Sequence, residues 1–133
     1  MTERCPVISS GAPEAIGPYS QGVRVGDWLY VSGQIPLDPA TGQLVAGDAE
    51  AQMERVLASV RAILEAADMG LNDVVKVTLY LTDLNDFAVI NGVYGRYFVA
   101  PYPARATIGV AALPKGARVE MDAVAWRSGG AVI

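Results

Sequence analysis

The chain contains no histidine. That absence removes the side chain most used for acid–base catalysis near neutral pH, and with it the commonest metal ligand. A Ser-His-Asp triad is excluded outright. A zinc site would need mostly carboxylates, and no such cluster stands out in the sequence. Cysteine is almost as scarce: Cys5 is alone, so no intrachain disulfide can form, and its place near the chain start reads as incidental. No apolar run approaches the roughly 18 residues of a membrane span. Residues 1–10 lack the apolar stretch of a secretory signal, so a cytoplasmic location is expected. Basic residues are outnumbered, 10 Lys and Arg against 14 Asp and Glu, for a net charge of −4. This balance weighs against a general electrostatic grip on nucleic acid or on an anionic membrane.

What is present suits one packed domain. The 133 residues fit a single unit over 1–133, with a flexible tail expected over 126–133. The hydrophobic fraction of 52% leaves some apolar surface to be covered, and oligomerisation is one way to cover it. Residues 21–25 and 28–34 read as strands around a Gly26-Asp27 turn. Residues 49–67 are the clearest element, with Met53, Val56, Leu57, Val60, Ile63, Leu64 and Ala67 at helical spacing. Asp48 is placed to cap that helix and Gly70 to terminate it. Val75, Val77, Leu79 and Leu81 alternate with polar residues and predict a half-buried strand. A second helix is predicted over 85–99, with Asp83 as cap and Phe87, Ile90, Tyr94 and Phe98 inward. Residues 105–113 and 118–126 read as two further strands joined around Pro114-Lys115-Gly116. Two helices can cover only one face of such a sheet, so the face carrying Tyr80 and Thr78 must be solvated or covered by a partner.

Arg105 enters an apolar stretch after Pro103 and calls for an anion. It could clamp a substrate carboxylate with its planar fork, or form a structural salt bridge with Glu120 or Asp122. Glu120 lies in a strand, where acids are depleted, and could activate water or simply face solvent. Asp122 has the same parity as Glu120. Whether Arg105 shares their face depends on the register of the hairpin, which the connecting loop leaves open. Tyr19 beside Gly17-Pro18 could reach a ligand or pack. Ser32 and Gly33 could offer a hydroxyl and backbone N–H groups, or let two backbones approach. Asn91, between Phe87 and Tyr94 on the second helix, is a ligand contact or a hydrogen-bonded core amide.

Together, Ala15-Ile16-Gly17-Pro18-Tyr19-Ser20-Gln21, Val31-Ser32-Gly33-Gln34-Ile35-Pro36, Thr82-Asp83-Leu84-Asn85-Asp86-Phe87, Asn91 with Tyr94, Pro103-Ala104-Arg105, and Leu113-Pro114-Lys115-Gly116 leading into Val119-Glu120-Met121-Asp122-Ala123 resemble the RidA (YjgF) family of reactive intermediate deaminases. The resemblance spans residues 8–126. It implies an α+β, chorismate-mutase-like sheet with two helices on one face, assembled as a homotrimer around a central barrel with clefts between subunits. It also implies cofactor-free hydrolysis of 2-imino or enamine acids to 2-oxo acids and ammonia. Carried over, Arg105 would hold the substrate carboxylate and Glu120 would position or activate water. Tyr19, Ser32, Gly33 and Asn91 would line the cleft. Thr107 stands where many deaminating members have a cysteine. Two alternatives stay open: an endoribonuclease, and a trimer that binds small carboxylates without turnover.

Overall fold

The computed structural model describes residues 3–128. Among these residues six strands form one sheet in the order β1-β2-β3-β6-β4-β5. They are β1 (Arg4–Val7), β2 (Gly22–Val25), β3 (Trp28–Gln34), β4 (Val74–Leu81), β5 (Ala104–Gly109) and β6 (Val119–Trp126). Two helices, α1 (Ala49–Ala66) and α2 (Phe87–Tyr97), complete the mixed α+β architecture. Among the described residues no helix is long and apolar enough to cross a membrane.

The helical spacing of α1 does what it predicts. Met53, Val56, Leu57, Val60, Ile63 and Leu64 are all fully buried. Each such side chain contributes about 1.5–3 kcal/mol of apolar transfer, and Leu57→Ala would cost roughly 2–5 kcal/mol. The Asp48 carboxylate caps the helix by accepting from Ala51 N at 3.1 Å. Termination differs from expectation. The left-handed residue is Asp68, with φ 58°, while Gly70 is extended. Arg24 and Arg127 donate to the carbonyls of Ala67 and Asp68, just past the end of the helix. The second helix starts later than expected, because Leu84–Asp86 forms a 3-10 turn capped by Asp83.

Three further expectations are corrected, and one overlap between two expectations is resolved. The edge strand β1 was not foreseen; it pairs with β2 and carries Pro6, which a sheet edge tolerates. In β4 the buried residue is Val74, while Val75 is exposed, because the register slips between Val74 and Lys76. Trp126, where the expected strand over 118–126 and the expected tail over 126–133 overlap, closes β6 opposite Trp28, and residues 129–133 of the expected tail lie outside the described residues. Most consequentially, β5 and β6 are not a hairpin. The strand β5 lies parallel to β4, which separates it from β6. A parallel neighbour requires a crossover, and α2 supplies it.

The core lies between the sheet and both helices, built from Leu29, Val31, Val77, Leu79, Leu81, Val119 and Met121 below α1 and α2. Among the described residues the opposite face carries no helix. Trp28, Tyr30, Trp126 and Ile108 are exposed there, the two tryptophans at 43% and 42%.

Candidate active site

The sheet register decides which candidates can meet. Arg105 pairs with Val77, and Val77 pairs with Ala123. Residues in one row point to one face, and Val77 is fully buried under the helices. Arg105 and Thr107 therefore belong to the helix side, at the sheet edge. Ile108, Tyr80 and Glu120 form another row. That row faces the open side, where Tyr80 also reaches Asp122. Within one chain, Arg105 and Glu120 sit on opposite faces. The expectation that they front one cleft does not hold for a single subunit. Nor does Arg105 form the salt bridge with Glu120 or Asp122 that was the alternative.

Around Arg105 the helix α2 builds a cradle. Phe87, Asn91 and Tyr94 recur at helical spacing and face the β5 edge. The guanidinium carbon lies 4.7 Å from the Tyr94 ring centroid and 5.6 Å from that of Phe87. Such contacts attract a cation without neutralising it. Its Nη1 donates to Asn91 Oδ1 at 2.8 Å, and that acceptor is neutral. Burial pushes the Tyr94 hydroxyl up, while the Arg105 charge pulls it down. A cavity of about 440 Å³ opens here, lined by Asn91, Tyr94, Gly95, Tyr102, Pro103 and Arg105. The aromatic support of Arg105 was missed in the sequence, although the Phe87–Asn91–Tyr94 stripe was visible. Thr107 shares the face of Arg105 and is half-buried.

A second group of candidates gathers elsewhere. Between Val31 and Gln34 the strand β3 slips register against β6, and Ser32 and Gly33 form that irregularity. A β-carbon at position 33 would fall 1.9 Å from Glu120 Oε2. Only glycine leaves the carboxylate room to lie against this backbone. Ser32 Oγ donates to Ser20 O at 2.6 Å, and Ser32 N donates to Gln21 O at 2.9 Å. These bonds tie the bulge to the loop that carries Tyr19. Buried Gln21 fixes that loop further: its Oε1 accepts from Ser9 N at 2.7 Å and its Nε2 donates to Pro13 O at 2.8 Å. Tyr19 itself is exposed and borders a separate cavity of about 550 Å³ with Ile8, Ser9 and Glu14. Glu120 is held above the ordinary carboxylate value, chiefly by desolvation and then by the charge of Asp122.

The candidates thus form two groups: Arg105, Asn91 and Thr107 at one edge, and Ser32, Gly33 and Glu120, with the Tyr19 loop, on the open side. Among the described residues no three His, Cys, Asp or Glu side chains come together as a metal site. The first group can grip an anion; the second can exchange a proton.

The family model described as Endoribonuclease L-PSP matches residues 9–127. A RutC family protein of Pyrococcus abyssi is 51% identical over 121 residues, covering 91% of this chain and 95% of that protein. A 2-iminobutanoate/2-iminopropanoate deaminase of Bos taurus is 49% identical over 119 residues, covering 90% and 87%. The crystal structure of RidA from the Antarctic bacterium Psychrobacter superposes with a TM-score of 0.89 at 48% identity, covering 92% of this chain and 99% of that one.

Proposed function

The chain belongs to the endoribonuclease L-PSP family, which includes RidA and the RutC proteins, and on that premise we propose that it hydrolyses small 2-imino acids and their enamine tautomers to 2-oxo acids and ammonium, in a homotrimer whose every site draws on two subunits. The observation that carries this reading is the state of Arg105: a half-buried guanidinium at the mouth of a cavity, stacked on two rings, with a neutral amide as its hydrogen-bond partner. A cation held but left uncompensated is a receptor for a carboxylate, which the planar fork grips through two hydrogen bonds. The name of the Bos taurus relative supplies the substrate class.

The opposite placement of Arg105 and Glu120 supports the two-subunit arrangement. If the apolar open face of one subunit packs near the β5 edge of the next, Glu120, Gly33 and Tyr19 of one chain come across from Arg105, Asn91 and Thr107 of another. The chemistry asks little of the protein. The iminium carbon is already electrophilic, so positioning supplies much of the rate. Ionised Glu120 takes a proton from water as its oxygen bonds to that carbon, giving a carbinolamine. The carboxyl group returns the proton to nitrogen, the C–N bond breaks, and the hydroxyl proton leaves with ammonia as ammonium. One water is consumed and a 2-oxo acid remains. General acid–base help of this kind contributes about 10²–10⁴-fold.

The family description also names RNA cleavage. The net charge of −4 and the missing histidine give that reading little to work with here. The deciding experiment generates 2-iminopropanoate and 2-iminobutanoate in situ with an amino-acid oxidase and follows their decay. Acceleration over buffer is expected. Tight binding of 2-oxobutanoate with no acceleration for either imine would replace the enzyme with a carboxylate-binding trimer.

A further inference from the structure

On the open face of the sheet two carboxylates stand two residues apart on β6 and are served unequally. Tyr80 is the register partner of Glu120, yet its hydroxyl donates diagonally to Asp122 Oδ2 at 2.9 Å. Glu120 receives no such donor among the described residues. It rests instead against the bare backbone of Gly33. We propose that Tyr80 and Asp122 are positioning residues for proton transfer at Glu120: the Tyr80 hydroxyl commits Asp122 to accepting a hydrogen bond, and Glu120 is left as the carboxyl group of the pair that exchanges a proton. This inference rests on the reading of Glu120 as the group that handles the proton of the attacking water.

The geometry gives the two acids different work. Environments that separate two neighbouring carboxyl groups are a general way to assign one a proton-transfer role and the other an electrostatic one. The Tyr80 hydroxyl is itself pushed up, first by its bond to Asp122, so it stays a donor at neutral pH. The charge of Asp122 adds to desolvation in raising Glu120. Other groups on this face stand further along. Lys76 of β4 and Tyr30 of β3 both lie at the level of Val124. Ser32 and Gly33 are what β3 offers beside Glu120, and α1 packs on the opposite side of the sheet.

The test follows the carboxyl groups of the whole protein by carbon-13 NMR during a pH titration, with Glu120→Gln to assign the Glu120 resonance. The pH dependence of kcat/KM on 2-iminobutanoate is measured alongside. Asp122→Asn keeps an acceptor for Tyr80 and removes the charge. The Glu120 titration and the acid limb of the rate profile should then move together to lower pH. Tyr80→Phe removes the donor. The hydrogen bond that sets Asp122 apart from its neighbour is then gone, and the Glu120 titration should move from its native position. A purely structural role would lower the rate by one factor at every pH and leave the Glu120 titration in place. A Glu120 titration unchanged in both variants overturns the proposal. A native protein that fails to accelerate imine hydrolysis overturns the functional reading instead, and the NMR titration still decides whether Tyr80 and Asp122 set the proton on Glu120.

Discussion

The Arg105 edge and the Glu120 face solve opposite problems by one device. At the edge, a cation lies against two aromatic rings and a neutral amide. On the open face, an anion is half-buried beside a second anion, with a glycine backbone for support. Two other arginines are paired directly with acids: Arg118 bonds the Asp86 carboxylate through both Nε and Nη2, and Arg96 meets Glu50 at 3.0 Å and Glu54 at 3.4 Å. The difference teaches that Arg105 and Glu120 are held in place without being neutralised. Shape, not counter-charge, fixes each of them. Two charges kept available on opposite faces of one sheet make chemical sense when a second subunit brings them together.

The strongest way to break that comparison is to mix subunits. The Arg105→Ala and Glu120→Gln variants should each be nearly inactive. If every site takes its arginine from one chain and its glutamate from the next, refolding the two variants together restores intact sites. Random mixing in equal amounts would return about a quarter of native activity, since each site needs an unaltered residue from both neighbours. An activity no higher than the average of the two parents would place both residues in the same chain's site, against the register.

Glu120→Gln alone should cost about 10²–10⁴-fold in kcat, the usual worth of a positioned acid–base group. Its stability should move the other way. Desolvation and Asp122 raise the carboxyl group of Glu120 above its unfolded value, so folding disfavours the ionised form. The contribution of this group to stability is full below the unfolded value and is lost as pH rises through the raised one. Glutamine carries no charge to desolvate. The variant should therefore unfold at a higher temperature than the native protein at neutral pH, with the gap closing in acid. Thermal melts across that range, with assembly checked by light scattering, read the effect. At the other group, Arg105→Lys keeps the charge and loses the fork. A misplacement of about 1 Å can cost on the order of 100-fold, and a drop of that size in kcat/KM in a folded protein is expected. Near-native turnover would remove the clamp role.

The two groups were legible to different depths. The face of α1 could be read because many apolar positions repeat one period over a long segment. Arg105 and Glu120 could be singled out because each is a charge in an apolar strand. Their relation could not. It depends on β5 pairing with β4 instead of β6, and a strand, a Pro-Lys-Gly turn and a strand look locally like a hairpin. The free edge of β4, which takes β5 once α2 has crossed over, has no local signature. The slip at Val75 was hidden for a related reason, since one extra residue in a strand leaves its apolar alternation looking intact. The bond from Tyr80 to Asp122 runs diagonally between strands and needs the register to be found.

The mildest test separates the two supports of Arg105. Asn91 accepts one hydrogen bond from the guanidinium at 2.8 Å, while Phe87 and Tyr94 hold its flat side. Asn91→Ala removes the acceptor and leaves the rings. A single hydrogen bond of this kind contributes about 0.5–1.5 kcal/mol net. Asn91 is exposed, so truncation leaves no cavity and its stability cost should be small. If the rings do most of the holding, the fork keeps its plane and loses only its rotational anchor. The expected result is a rise in KM of about threefold to tenfold, with kcat little changed, because the reacting carbon is still placed once the carboxylate is gripped. Steady-state kinetics on 2-iminobutanoate measure both constants. A collapse in kcat comparable to that of Arg105→Lys would mean that the amide, and not the aromatic cradle, sets the orientation of the guanidinium.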